Sequence, residues 1–158
     1  MLAGVCFNLT SLSMKIRVLL LTLVCSLAFG TGAYAANKET ELGSKMEKMG
    51  GAFRALRRQI NDASKNEDSL AKLKTIRDMA EASIKLDPAM KADKPAGDQA
   101  KFVADYQADM KKFLAKVDAT MAALKAGKND EAAKLCNELG DLQKAGHKQY
   151  KKPDEKKK

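Results

Sequence analysis

Apolar residues recur at steps of three and four along four stretches of this chain, and that spacing predicts four amphipathic helices. The predicted helices cover approximately residues 39–62, 66–86, 98–126 and 129–150. The third is the most regular, because its apolar positions follow a seven-residue pattern. The predicted core consists of the stripe residues Leu42, Met46, Met49, Phe53, Leu56, Ile60, Leu70, Leu73, Ile76, Ala80, Ile84, Phe102, Tyr106, Met110, Phe113, Val117, Met121, Leu124, Ala132, Leu135, Leu139, Leu142 and Tyr150.

The residues between these stretches indicate how the helices begin and end. Asn66 and Asn129 stand where a capping side chain is expected, and Gly127 stands where helices commonly stop. Residues 87–98 contain two prolines and a glycine among polar residues, and they are predicted to form the longest loop. Four single-striped helices with short, long and short connections predict an up-down-up-down four-helix bundle.

Composition agrees with an all-α fold. Aromatic residues make up 5% of the 158 residues and Trp is absent, which argues against an all-β sandwich. Charged residues make up 31% and the chain has three prolines, a composition that favours helices.

The N-terminal residues have the pattern of a cleaved export signal. Lys15 and Arg17 supply a short positive region, residues 18–29 are apolar, and Ala33-Tyr34-Ala35 is a typical cleavage site. The apolar run is short for a membrane span, so no stable membrane insertion is expected after the leader is removed. The predicted division is a signal peptide at 1–35, a helical bundle at 36–152 and a disordered basic tail at 153–158.

The leader leaves two alternatives open. Met14 would open an ordinary leader by itself, so it is a candidate for the true start. Cys25 is a candidate for a lipid anchor, although Val24 precedes it where a small residue is expected. After cleavage one cysteine remains, Cys136, which excludes an internal disulfide and a cysteine-rich metal site. Its place in the pattern predicts a small buried side chain rather than a metal ligand.

The chain is basic. Removing a leader that contains Lys15 and Arg17 from a chain of formal net charge +9 leaves +7. Such a charge, spread over the first and third helices and the tail, favours a partner with an acidic surface or a position near anionic lipid. Aromatic residues do not alternate with the basic ones, so nucleic acid is not an expected partner. We expect a monomer.

Met46 and His147 form a candidate ligand pair. In an up-down-up-down bundle the start of the first helix and the end of the fourth lie side by side. Met46 is one to two turns into the first helix, and His147, the single histidine, is about one turn from the end of the fourth. A thioether and an imidazole facing each other at one level are a sufficient axial pair for a haem iron.

Glycines accompany both candidate ligands. Gly43 and Gly50 share the face of Met46, Gly140 shares the face of His147, and Gly146 is adjacent to it. An interior helical glycine costs roughly 1 kcal/mol relative to alanine, so a group that fills the vacated space would account for them. Close contact between the helices through small residues is the alternative.

These residues resemble the cytochrome b562 family over essentially all of residues 39–152. The motifs that carry the resemblance are Leu42-x-x-x-Met46-x-x-Met49, Ala126-Gly127-Lys128 followed by Glu131-Ala132, and His147-x-x-Tyr150-Lys151. The resemblance implies a small periplasmic electron carrier, not an enzyme, with one non-covalent b-type haem per chain and an unidentified redox protein as partner. Met46 matches the family's methionine ligand and His147 its histidine ligand, with Met49 as the fallback.

Two positions near His147 depart from related proteins. The related cytochromes c′ attach haem through Cys-x-x-Cys-His, whereas residues 143–146 contain no cysteine, so covalent attachment is excluded there. The family has an arginine one turn before the histidine ligand, and this chain has Gln143 at that position. Lys144 and Lys148 are then the candidates to supply positive charge near a haem propionate. Tyr150 is expected to pack near the histidine, with its hydroxyl reaching water or a propionate.

Three other functions are open at this point. Met46, Met49, Met110 and His147 are soft ligands that suit cuprous ion, which favours copper handling. A bundle that has lost haem and acts as a chaperone-like binding protein is the second. A gas-binding or peroxidase-like haem protein is the third, and it would require an open axial site. A hydrolase has little support, because no Ser/His/Asp spacing or Gly-rich phosphate loop is present.

Overall fold

The structure is a computed structural model that describes residues 40–153. Within those residues the chain forms four α-helices and no strand. The helices are α1 (Glu41–Gln59), α2 (Asn66–Ser83), α3 (Ala96–Lys125) and α4 (Asn129–Tyr150). The predicted helices are confirmed, although α1 and α2 each end about three residues early, and a short 3₁₀ turn at Ala63–Lys65 follows α1.

Two sequence predictions lie outside the described residues. The signal peptide at 1–35 is one, and all of the tail beyond Pro153 is the other. The bundle belongs to the unit Glu39–Lys158.

The helices form the predicted up-down-up-down bundle. Close backbone contacts join α1 to α2, α2 to α3 and α3 to α4. The connection between α2 and α3 is the longest of the three, as the prolines in this stretch predicted. It contains a 3₁₀ turn at Lys91–Asp93. No helix within residues 40–153 combines the length and the apolar character needed to cross a membrane.

The core is made of one apolar stripe from each helix. Its buried members are Met49, Phe53, Leu56, Ile60, Leu73, Ile76, Ala80, Tyr106, Met110, Phe113, Val117, Ala123, Leu124, Ala132, Cys136, Leu139 and Tyr150. Cys136 is 1% exposed, which confirms its prediction as a small buried side chain. Most of the remaining predicted stripe residues are half-buried at the edge of this cluster.

The predicted capping roles of Asn66 and Asn129 are wrong. Each asparagine is the first residue of its helix, and the cap positions, Lys65 and Lys128, make no side-chain cap bond. The two amides bind each other instead: Asn66 Nδ2 donates to Asn129 Oδ1 at 3.1 Å, and Asn129 Nδ2 donates to Asn66 Oδ1 at 2.7 Å. Because the two short connections meet at this end of the bundle, this pair ties the start of α2 to the start of α4.

Gly127 ends α3 as predicted. Its φ of 71° lies in the left-handed region that favours glycine. The Lys128 N–H donates to the Ala123 carbonyl at 2.9 Å, and the Gly127 N–H donates to the Leu124 carbonyl at 3.0 Å. These two bonds are those of a Schellman motif, and they reverse the chain between α3 and α4.

Candidate functional site

Met46 lies in the second turn of α1, which begins at a well-formed cap. The Gly43 N–H donates to Thr40 Oγ1 at 3.0 Å, and this bond fixes where the helix starts. Met46 is half-buried and packs against the core cluster, whereas Met49 is 5% exposed and lies within it. Met46 is therefore at the edge of the core, where one side of the residue is available to a further group.

A cleft runs along α4 beside α1. Its volume is about 450 Å³, within the range of about 300–1,000 Å³ that ligand pockets occupy. Its lining residues are Arg57 of α1 and Asn137, Gly140, Asp141, Gln143, Lys144 and His147 of α4. His147 lies in the last turn of α4 at the exposed edge of the cleft, and its carbonyl accepts a hydrogen bond from the Lys151 N–H at 3.1 Å.

The register between α1 and α4 follows from one contact. A Cβ built at Gly140 would lie 3.8 Å from the ring of Phe53, so these residues are at the same level. Met46 is seven residues before Phe53, and His147 is seven residues after Gly140. Because α1 and α4 run in opposite directions, each of these seven-residue steps leads toward the same end of the bundle, by about 10.5 Å. Met46 and His147 therefore lie at one level, while their role as ligands stays a prediction.

Met46 does not itself line the cleft, but it lies on the same side of α1 as Arg57, which does. Arg57, which lines the cleft, is eleven residues after Met46, and eleven residues complete about three helical turns. Met49 is eight residues before Arg57, and that spacing turns it away from the cleft by about 80°. The geometry favours Met46 over Met49 as the methionine of this site.

The glycines near these residues are not required by close packing of the helices. A Cβ at Gly50 would meet the side chain of Arg54 at 3.6 Å, and one at Gly140 would make an ordinary contact with Phe53. A Cβ at Gly146 would meet nothing within 4 Å. Alanine would fit all three positions, so close helix contact does not explain the glycines.

The other two predicted site residues lie in different surroundings. Gln143 is half-buried and lines the cleft one turn before His147. Tyr150 does not line it, because its side chain packs toward α3, where its ring centre is 5.3 Å from that of Phe102 and 5.2 Å from that of Tyr106. Its hydroxyl donates to Asp109 Oδ2 at 2.7 Å. A role of Tyr150 toward a cofactor stays a prediction.

The electrostatics of the tyrosines and of Cys136 follow from burial. Burial raises the pKa of Tyr106 to about 12, and burial together with the Asp109 carboxylate raises the pKa of Tyr150. Burial also raises the pKa of Cys136 despite the nearby Arg57. A neutral thiol is a poor metal ligand, and residues 40–153 contain no group of three or more His, Cys, Asp or Glu side chains placed to hold a metal ion.

Sequence reasoning missed three residues of the cleft, Arg57, Asn137 and Asp141. The spacing along α4 could have identified two of them. Counting back from His147 in steps of three or four residues gives Lys144, then Asp141 or Gly140, then Asn137, which share one side of the helix. These positions form a polar side of α4, next to its apolar stripe. Arg57 belongs to the same pattern on α1, seven residues after Gly50.

The comparisons with known proteins decide the family. The model of the cytochrome b562 family matches residues 41–151, which run from the start of α1 to the residue after α4. The chain belongs to the cytochrome b562 family. Cytochromes b562 are haem-binding electron carriers of the periplasm. No curated protein and no solved structure matches the chain.

Proposed function

We propose that this protein is a periplasmic electron carrier that binds one b-type haem non-covalently beside α1 and α4, with Met46 and His147 as the axial ligands. The observation that carries the proposal is that Met46 lies at the level of His147, which lines the cleft; this level follows from the closeness of Gly140 to the ring of Phe53. The family supports haem binding and electron transfer, and the donor set supports the particular ligands.

The candidate ligands and the cleft are suited to a b-type haem. Thioether sulfur and imidazole nitrogen are an established axial pair for haem iron. The cleft is open, and the backbones at Gly50, Gly140 and Gly146 leave space on or beside the faces of both candidate ligands. Since residues 143–146 contain no cysteine, the helix before His147 offers no thioether attachment, and the binding is non-covalent.

The bound haem supplies one-electron chemistry between ferric and ferrous iron. Met46 and His147 would hold the haem iron through the thioether sulfur and the imidazole, and the group would then supply electron transfer rather than a reaction with a small-molecule substrate. Methionine sulfur favours the ferrous form relative to a second imidazole, so the ligand pair sets a comparatively high potential. Arg57 and Lys144 place positive charge on the lining of the cleft, where it favours carboxylates.

Two matched leucine variants test the ligand assignment. Met46→Leu and Met49→Leu make the same chemical change one turn apart, and both conserve volume. We expect Met46→Leu to lose the low-spin spectrum of the hemin-titrated protein, because the sulfur is removed, and Met49→Leu to keep it. His147→Ala should lose it as well. If the loss follows Met49→Leu instead, Met49 is the ligand; unchanged spectra in all three variants would overturn the assignment.

A further inference from the structure

Seven basic side chains of α1 and α4 are exposed and make no ion pair with a described residue; they are Lys48, Arg54, Arg57, Arg58, Lys134, Lys144 and Lys148. We call five of them, Arg54, Arg57 and Arg58 of α1 and Lys144 and Lys148 of α4, the basic face. None of the five forms an ion pair with another residue of the described part of the chain. Two of them line the cleft that contains His147, so the basic face lies at the proposed cofactor site.

On α2 and α3, most basic side chains form ion pairs with carboxylates. Arg77 of α2 pairs with Glu81 at 2.9 Å and reaches across to Asp118 of α3 at 2.9 Å. Further basic side chains of α2 and α3 are neutralised in the same way, in the pairs Lys72–Asp68, Lys74–Asp78, Lys101–Asp105 and Lys112–Asp109. The unneutralised charge is therefore concentrated on α1 and α4 rather than spread evenly.

Nearby groups modify this charge without cancelling it. Glu47 of α1 and Asp130 and Asp141 of α4 are the exposed carboxylates of these two helices that make no ion pair with a described residue, and they offset part of the positive charge. The guanidinium of Arg54 lies beside Gly50 and Gly51, and that of Arg57 stands 6.0 Å from the ring centre of Phe53. The arginines are thus supported along the surface of α1 while their charges face solvent.

We propose that the basic face is the docking surface for the acidic surface of a redox protein partner. A protein is favoured over a membrane because no aromatic or large aliphatic side chain of α1 or α4 is exposed, whereas helices that lie on membranes insert such side chains. Charge complementarity speeds encounter and orients the partner. A partner bound here lies against the cleft, which shortens the path for an electron. The purpose of this docking rests on the proposed function, but the binding itself does not.

Poly-L-glutamate is the probe for an acidic surface, and the matched variants are R54E/K148E and K111E/K125E. Both double variants change the net charge equally, and none of the four residues lines the cleft. Lys111 and Lys125 are exposed, make no ion pair with a described residue, and lie seven residues on either side of Asp118, on the side of α3 that faces α2. They change the charge of the molecule without changing the basic face.

In ¹H–¹⁵N spectra of the purified protein we expect poly-L-glutamate to shift amides of α1 and α4 and not those of α2. R54E/K148E should weaken binding by at least about tenfold and K111E/K125E by less than about twofold, because exposed charges act over about one Debye length. Equal losses in the two variants, or shifts centred on α2 and α3, would overturn the proposal. Binding to phosphatidylglycerol vesicles without binding to the peptide would also overturn it, in favour of a membrane surface.

The visible spectrum of the same samples keeps the two proposals apart. A protein that takes up haem but does not bind poly-L-glutamate retains the proposed function and loses the docking surface. A protein that binds the peptide at the basic face but takes up no haem retains the surface and loses the electron-transfer role.

Discussion

At the scale of single residues, the buried hydroxyls make the protein sensitive to alkaline pH. Tyr106 is 2% exposed, and its hydroxyl donates to the Ser83 carbonyl at 3.0 Å. Burial raises its pKa from 10.0 to about 12, so the folded state favours the protonated phenol. The stability from this group is complete below about pH 10 and is lost between about pH 10 and about pH 12, where the unfolded phenol ionises first.

We therefore predict that the free energy of unfolding falls between pH 9 and pH 11.5 and that Tyr106→Phe makes this fall less steep. The variant removes the ionisable group and one hydrogen bond, which costs about 1 kcal/mol at neutral pH. Urea unfolding of both proteins at the two pH values measures the effect. An identical pH dependence in the two proteins would show that Tyr106 does not titrate abnormally.

The sequence could predict some of these residues and not others. Met46 and His147 can be placed at one level from helix direction and residue spacing alone, because both follow from bundle topology. The acceptor of the Tyr150 hydroxyl, Asp109, could not be found, since 41 residues separate them and the bond depends on how α3 and α4 are rotated about their axes. Periodicity gives the face of a residue but not its partner.

At the scale of the helices, the turn at Gly127 shows what local sequence determines. Gly127 was predicted as a stop and has the positive φ that the turn needs. Asn66 and Asn129 were predicted as caps, but a capping preference is worth only about 1 kcal/mol, and the long-range amide pair replaces it. Local preferences hold where the backbone conformation demands them and yield where tertiary contacts offer an alternative.

We predict that Gly127→Ala lowers the free energy of unfolding by about 1–2 kcal/mol, because a side chain is strained at φ 71°. The matched control is Gly97→Ala in the first turn of α3, where a Cβ meets nothing within 4 Å. That variant should be neutral or more stable by up to about 1 kcal/mol. Thermal unfolding of both variants distinguishes the two sites, and equal effects would contradict the backbone explanation.

Replacing the glycines of α4 by alanine should raise the stability of the haem-free protein and lower its affinity for hemin. Gly140→Ala and Gly146→Ala should each stabilise the haem-free protein by up to about 1 kcal/mol, since alanine favours helix and the structure has room for it. Both should weaken hemin binding if the space serves the cofactor. Chemical unfolding and hemin titration of the same variants measure the two effects. Unchanged hemin affinity in both would indicate that the glycines do not serve the cofactor.

At the scale of the whole molecule, the fold was predictable and the distribution of charge was not. Each helix carries an apolar stripe in its own sequence, and connection lengths leave few ways to join four of them. The net charge predicts an acidic partner, and the sequence predicted that this charge is spread over the first and third helices and the tail. In the structure most cations of α3, including Lys101, Lys112 and Lys116, are paired with carboxylates, and α1 and α4 carry most of the unpaired charge of the described helices.

The cleft beside α1 and α4 is likewise a property of the assembled bundle. Stripe periodicity predicts a closed core and contains no information about how closely the first and last helices approach. Arg57 and the polar residues of α4 therefore became visible as one site only once the register between the two helices was known.

The proposed function depends on Met46 and His147 together holding one b-type haem. The most direct test is the visible spectrum of the purified protein during hemin titration, first oxidised and then reduced with dithionite. We expect uptake of one haem per chain and sharp α and β bands in the reduced spectrum, because the protein would supply both axial ligands. Titration without a Soret shift, or a high-spin spectrum with an open axial position, would contradict it.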